Sequence, residues 1–167
     1  MKKKFFVLVL FAVWIISCSS TPKVPAAEEM KMTVGNASNS SDGTIMGKEW
    51  KLIEVRINNR DTGFNRNILI REGFDQFFSL NFDTNNVSGV GAPNRYSAPY
   101  TLGNNQSINI MLMRSTMMAS FFQPENLTEH EFFTYMQNTY EWRLDSNNLE
   151  LRSKTDGGDE VSLVFSL

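Results

Sequence analysis

The chain has 167 residues, with 16 basic side chains against 18 acidic ones and a single cysteine, enough for one domain of ordinary size. One cysteine excludes an intramolecular disulfide. A near-balanced charge without a basic stripe argues against a nucleic-acid partner.

The chain opens with Lys2-Lys3-Lys4, an uncharged apolar segment from Phe5 to Ile16, and Ser17-Cys18. Basic residues, a short apolar run and a small residue before the cut describe a secretory signal over residues 1–17. The apolar run falls well short of the ~20 residues that a spanning helix needs. Ile15-Ile16-Ser17-Cys18 resembles a bacterial lipobox, in which Cys18 would be acylated and become the mature first residue. It departs from the commonest pattern, which has Leu three before the cysteine and Ala or Ser two before it. That points to a relaxed lipobox or else to a simple cleaved secretory signal. Two or three acyl chains make membrane residence stable, at about 0.8 kcal/mol per buried methylene. Loss of residues 1–17 removes three lysines and no acid, leaving a net charge of −5. The expected membrane contact is therefore the acyl chains on Cys18 alone, without electrostatic docking on anionic lipid. The expected location is the bacterial cell envelope, on its periplasmic or surface face.

From Ser19 to about Thr44 the composition turns to Ser, Thr, Asn, Gly, Pro and Ala without apolar periodicity, which reads as a flexible linker over residues 18–45. Some 26 residues of such chain reach roughly 28 Å. The folded domain is expected over residues 46–167. Trp50 and Leu52 share one face of a first strand, after which the phase slips to Ile53, Val55 and Ile57, as a bulge or two-sided burial would produce. Phe78, Leu80 and Phe82 alternate with polar residues, and the turn Asp83 to Asn86 leads back into Val87, a hairpin pattern.

The stretch Asn86 to Tyr100 reads as a glycine-loosened strand, a turn through Ala92-Pro93-Asn94 and a strand with Tyr96, Ala98, Tyr100 and Leu102 on one face. Pro99 makes that strand an edge or a bulged one. Ile108, Ile110 and Leu112 form the next face, with Asn109, Met111 and Met113 opposite. Thr128 and Glu131 predict a capping box, with Glu129 and Glu131 at the positive end of the helix dipole. Phe132, Phe133, Met136 and Tyr140 give that helix an apolar face. Strands then follow at Tyr140-Trp142-Leu144, Leu149-Leu151 and Val161 to Leu167. The expected class is mainly β (α+β): a small antiparallel barrel-like or curled sheet of about eight strands with one packed helix.

Gly47 to Leu52, Phe78 to Phe82, Val87-Ser88-Gly89, Asn94-Arg95-Tyr96, Tyr100, Thr116-Met117-Met118-Ala119 and Leu149-x-Leu151, in this order and spacing, resemble the META domain, the family of the heat-shock protein HslJ. The resemblance covers roughly residues 47–167. It implies a small, mostly antiparallel barrel-like domain with a helix, secreted or envelope-attached, with no agreed catalytic activity and loose links to stress response, motility and drug resistance. The family often has cysteines where this chain has Ala92-Pro93 and Ser120. If those form a disulfide in relatives, this chain must join the two loops by packing.

No catalytic constellation emerges. His130 lacks the second histidine that a zincin helix needs, since Thr134 stands one turn on. Met111, Met113, Met117 and Met118 could ligate Cu(I), but filling of irregular space explains them better. Gly89-Val90-Gly91 opens no helix, so its glycines read as permitting a bulge or a close backbone approach. No cofactor is expected. Asn94, Arg95, Tyr96, Tyr100 and Thr116 remain as a candidate motif with two readings. In one, Asn94 closes a turn in a left-handed conformation, Arg95 pairs with a carboxylate and Thr116 bonds to backbone. In the other, these residues rim a groove flanked by Tyr96 and Tyr100. The functional expectation is a non-enzymatic, lipid-anchored envelope module that binds or supports another envelope protein. The alternatives are a small-ligand carrier using the barrel mouth and an envelope-polymer hydrolase using paired carboxylates among Glu49, Glu54, Glu129 and Glu131.

Overall fold

The computed structural model describes residues 44–120, 122–145 and 147–167. The leader, Cys18 and nearly all of the expected linker lie outside them. Strand β1 (Glu49–Ile57) turns back into the two-residue β2 (Arg60–Asp61) through Asn58 and Asn59. Their φ values of 51° and 62° supply the left-handed pair that a tight hairpin needs to match the strand twist. A short helix α1 (Arg66–Arg71) follows, its first turn capped by Asn65, which accepts from the Asn67 N–H at 3.0 Å. Next come β3 (Ser79–Phe82) and β4 (Asn86–Val90), joined by the expected turn, in which the Asp83 N–H donates to the Asn86 carbonyl at 2.8 Å. The remaining elements are β5 (Arg95–Leu102), β6 (Ile108–Ile110), β7 (Arg114–Ser115), α2 (Glu129–Gln137), β8 (Thr139–Asp145), β9 (Asn148–Lys154) and β10 (Glu160–Ser166).

The strands pair antiparallel in the order β6-β5-β4-β3-β1-β10-β9-β8, with β2 on β1 and β7 on β5. The two ends of this path meet: Ser107 bridges to Glu141, and the Trp142 N–H donates to the Gln106 carbonyl at 2.9 Å. The result is a nearly closed eight-strand barrel, mainly β as expected. Helix α1 is an addition that the sequence did not announce, since six residues are too few to show a helical period.

Trp50, Phe78, Phe82, Phe132 and Phe165 are fully buried in one core. Phe132 of α2 lies 5.1 Å from Phe78 and 5.8 Å from Tyr96 between ring centroids, so the helix is docked on the barrel through aromatic contacts. Strand β10 sits between β1 and β9 and is buried on both faces from Val161 to Phe165. Ile45, the last residue of the expected linker, is already core, and its carbonyl accepts from the Trp50 indole at 2.9 Å.

Three bulges break strict alternation, the first of them at the phase slip after Leu52, where the sequence led a bulge to be expected. Leu52 faces Phe165 while Glu54 faces Val164, which leaves Ile53 as the extra residue. Thr139 faces Ser153 while Glu141 faces Arg152, which leaves Tyr140. Tyr100 faces Ile110 but Tyr96 faces Ser115, so β6 and β7 form one strand with an extra residue between Met111 and Met113, opposite Pro99. Each bulge turns a large apolar residue outward: Ile53 is 37% exposed, Tyr140 36% and Leu112 79%. The three expected faces each lose that member, and Met113 packs on the core where Leu112 was expected. Tyr140 belongs to β8 rather than to the helix, whose buried face is Phe132, Tyr135 and Met136. Leu102, at the end of β5, is also exposed.

The first bulge has a dedicated partner. Arg66 of α1 is buried, and its Nη1 donates to the Leu52 and Phe77 carbonyls at 3.1 Å each. Its Nη2 donates to the Asp75 carbonyl and, at 3.1 Å, to Asp75 Oδ1. Lys51 also pairs with Asp75. Burial lowers the Arg66 pKa against the opposing pull of Asp75. The Lys51 hydrogen bond holds the Asp75 carboxyl below its ordinary value, with Arg66 acting in the same direction. Close approach governs β3 and β4. A Cβ on Gly89 would lie 1.9 Å from the Ser79 carbonyl oxygen, the same oxygen that accepts the Tyr96 hydroxyl at 3.0 Å.

Gly89→Ala should therefore destabilise the fold by about 1–3 kcal/mol or more, read as a lowered urea midpoint at unchanged slope. Because the folded Asp75 pKa is depressed, its stabilisation is whole above the unfolded value of about 3.9 and is lost as pH falls through the folded one. Asp75 is 46% exposed, so the pair contributes no more than about 1 kcal/mol. Asp75→Asn should lower stability at pH 7 and reduce its fall below pH 4, checked by urea titrations across that range.

Candidate functional site

The turn between β4 and β5 is built by Gly91, Ala92, Pro93 and Asn94, with a cis peptide bond between Ala92 and Pro93. The Gly91 N–H donates to the Asn94 carbonyl at 2.7 Å, and the Gly91 carbonyl accepts from the Phe78 N–H at 3.0 Å. A Cβ on Gly91 would meet Glu129 Oε1 at 2.6 Å and the Phe133 ring at 2.7 Å. Glycine is therefore the residue that lets this turn touch α2, the close approach read from the sequence.

Glu129 uses that proximity. Its Oε1 accepts the Ala92 and Asn94 backbone N–H groups at 2.5 and 2.7 Å, and its Oε2 accepts Asn94 Nδ2 at 2.6 Å. Asn94 is buried. Its Nδ2 also donates to the Met118 carbonyl at 3.2 Å. Its Oδ1 accepts the Met118 N–H at 2.6 Å and the Thr116 hydroxyl at 2.9 Å. Both donors and both acceptor sites of the amide are thus filled. Thr116 completes the knot: its Oγ1 accepts the Arg95 N–H at 3.1 Å, and its own N–H donates to the Arg95 carbonyl at 3.0 Å.

The candidate residues separate accordingly. Asn94 and Thr116 come together. Asn94 is not in a left-handed conformation; it acts through its side chain rather than its φ. Arg95 is exposed and, among the described residues, its guanidinium pairs with no carboxylate. Tyr96 and Tyr100 do not flank an open groove. Both are buried, with hydroxyls donating to the Ser79 carbonyl at 3.0 Å and the Asp83 carbonyl at 2.8 Å. Burial pushes both phenol pKa values up, with the Asp83 charge adding to the effect at Tyr100. The loops around residues 92 and 118 are joined by hydrogen bonds through Asn94, not by packing alone. Cys18 lies outside the described residues.

The four carboxylates considered for catalysis have separate positions. Glu54 takes Arg56 at 2.5 and 2.7 Å, Glu129 takes the turn, and Glu131 accepts the Thr128 N–H and hydroxyl in the expected capping box. Glu49 stands exposed on β1. On the outer face of β8 to β10, Glu141 pairs with Arg143 and Arg152, and Glu160 pairs with Arg152 and Lys154. Hydrogen bonds from Arg143 and from Tyr140, respectively, lead in lowering the pKa values of Glu141 and Glu160. Among the described residues no group of three or more His, Cys, Asp or Glu side chains could hold a metal ion, and no helix is long and apolar enough to cross a membrane. An open cleft of about 430 Å3 lies against α1, lined by Ile53, Phe64, Arg66, Ile70, Asp75 and Leu167 among others. It is on the barrel flank, while Trp50, Phe78 and Tyr96 fill the interior and Trp142 packs against them.

Residues 43–165 match the sequence profile of the META domain. The chain is similar in structure to a DUF4847 family protein from Bacteroides vulgatus, with TM-score 0.50, 15% identity, and coverage of 73% of this chain and 93% of that one. It is likewise similar to a protein from Burkholderia xenovorans, with TM-score 0.52, 15% identity, and coverage of 77% and 96%. At such identity these likenesses concern the fold. No curated protein matches the chain in sequence.

Sequence reasoning placed Glu129 at the helix dipole and missed its partners, since nothing local links residues 35 apart. Glu129→Ala should cost about 1–3 kcal/mol for each N–H left without an acceptor at Ala92 and Asn94. Faster hydrogen exchange at those two amides should accompany it. Glu131→Ala, which removes only part of an exposed cap, should cost about 1 kcal/mol and leave both amides protected.

Proposed function

The chain belongs to the META-domain family, and on that premise we propose that it is a lipid-anchored envelope protein whose META domain binds or supports another envelope component without catalysing a reaction. The observation that carries this reading is the direction of the polar groups. The hydrogen-bonding capacity of Asn94, Thr116 and Glu129 is spent on joining one turn, one loop and one helix, which leaves a scaffold rather than a reaction centre. Catalytic carboxylates must share a cleft at roughly 5–9.5 Å, whereas Glu54, Glu129 and Glu131 are each held by different partners. The leader Lys2 to Ser17 and the cysteine that follows it supply the anchor in this reading. A part in envelope stress response or motility is its family-level extension.

The flank cleft favours a second reading, carriage of a small ligand. Its volume of about 430 Å3 falls within the range of ligand pockets, and it moves the site from the barrel mouth to the wall beside α1. Mass spectrometry of the protein released under non-denaturing conditions from its native envelope would reveal a retained small molecule if that reading holds.

The anchor itself is tested by metabolic labelling with a fatty acid and by detergent phase partitioning. The native chain should carry the label and enter the detergent phase, and Cys18→Ala should remain aqueous and unlabelled. Label-free native protein in the aqueous phase would overturn the anchored reading.

A further inference from the structure

The loop that Asn94 holds has an unusual outer side. Thr116 and Met118 are fixed to Asn94 through the Thr116 hydroxyl and the Met118 backbone. Met117 between them is 99% exposed, and Met118 is 60% exposed. At the other end of β7 the bulge turns Leu112 outward at 79%, with Met111 beside it at 43%. These four apolar side chains lie within eight residues of chain, between Met111 and Met118. A loose loop would expose side chains indiscriminately, but this one is pinned on both sides of Met117 by a buried amide. Exposed apolar side chains clustered in one short segment on a fixed backbone mark an interaction site.

Charge identifies the occupant. Tyr96 points into the barrel, so Arg95 and Ser97 point out. Arg114 lies opposite Ser97, and Thr116 opposite Arg95, which makes Arg95 and Arg114 diagonal neighbours on the outer face of β5 and β7. Among the described residues neither guanidinium has a carboxylate partner. The net charge of −5 after loss of the leader describes the whole chain and conceals this local reversal. We infer that the ridge from Met111 to Met118, with Arg95 and Arg114, rests on an anionic lipid surface, burying its methionines and leucine at the headgroup boundary. The inference rests on the lipid-anchored reading, because so small a patch needs the tether. Four side chains fall far below a stable protein interface of about 1,200 Å2. A tethered domain meets its own membrane at an effective concentration near millimolar. Each arginine near an anionic leaflet then adds roughly five-fold in membrane affinity.

The test uses the full chain as purified from its native envelope, reconstituted into vesicles of phosphatidylethanolamine and phosphatidylglycerol, or of phosphatidylcholine alone. Dilute hydrogen peroxide converts an exposed methionine to its sulfoxide, and peptide mass reads the rate at Met117. Several-fold slower oxidation of Met117 in the anionic vesicles, abolished by high salt and by the double variant Arg95→Gln, Arg114→Gln, is the expected result. Both arginines are exposed, so the variant should fold; an unchanged urea midpoint confirms it. Protein that floats with the vesicles while Met117 oxidises equally fast in both lipids would overturn the inference and leave the anchor intact. Failure to float at all would overturn the anchored reading and the inference with it. Protection seen in native envelopes but in neither vesicle would assign the ridge to a protein partner instead, and overturn the lipid assignment.

Discussion

One carboxylate holds this domain in its working shape. Glu129 stands at the first residue of α2 and takes two backbone N–H groups from the turn at Ala92 and Asn94, together with the Asn94 amide. The arrangement satisfies donors that a tight turn cannot satisfy internally, and it sets a negative charge where the helix dipole favours one. Through Asn94 the same contact reaches Thr116 and Met118. A turn, an edge loop and a helix that never share a ladder become one body. A saturated amide performs the joining between these loops, through hydrogen bonds alone.

The sheet was legible because its signals are local. The Asp83 to Asn86 turn and the alternation of Phe78, Leu80 and Phe82 each speak within a few residues. The bulge after Leu52 was legible as a slip of phase, but Ile53, Leu112 and Tyr140 were each placed on a buried face for one shared reason. A bulge inserts a residue without changing its chemistry, so an apolar side chain destined for the surface looks in sequence like its buried neighbours. The Pro99 reading shows the limit from the other side. The missing donor said that something irregular must lie there, and the irregularity proved to be in the partner strand, opposite it.

Long-range polar contacts were not legible. Arg66, which no local pattern singles out, is buried and collects the carbonyls of Leu52, Asp75 and Phe77. It stands beside the very bulge that leaves the Leu52 region irregular. In the candidate motif, residue types revealed polarity but not direction. Tyr96 and Tyr100 turn inward and Asn94 is submerged, while Arg95 and Thr116 reach water. The part of the motif facing solvent is thus smaller than its sequence footprint, and the methionines next to it, taken as filler, are the larger exposed surface.

The place of β10 in the sheet has a consequence for how the chain matures. It lies between β1 and β9 in the middle of the path, although it comes last in sequence. Until it arrives, β1 and β9 each keep an open edge, so a nascent polypeptide exposes half-made sheet for nearly the whole of its synthesis. Such a polypeptide cannot complete its sheet until its final strand is delivered.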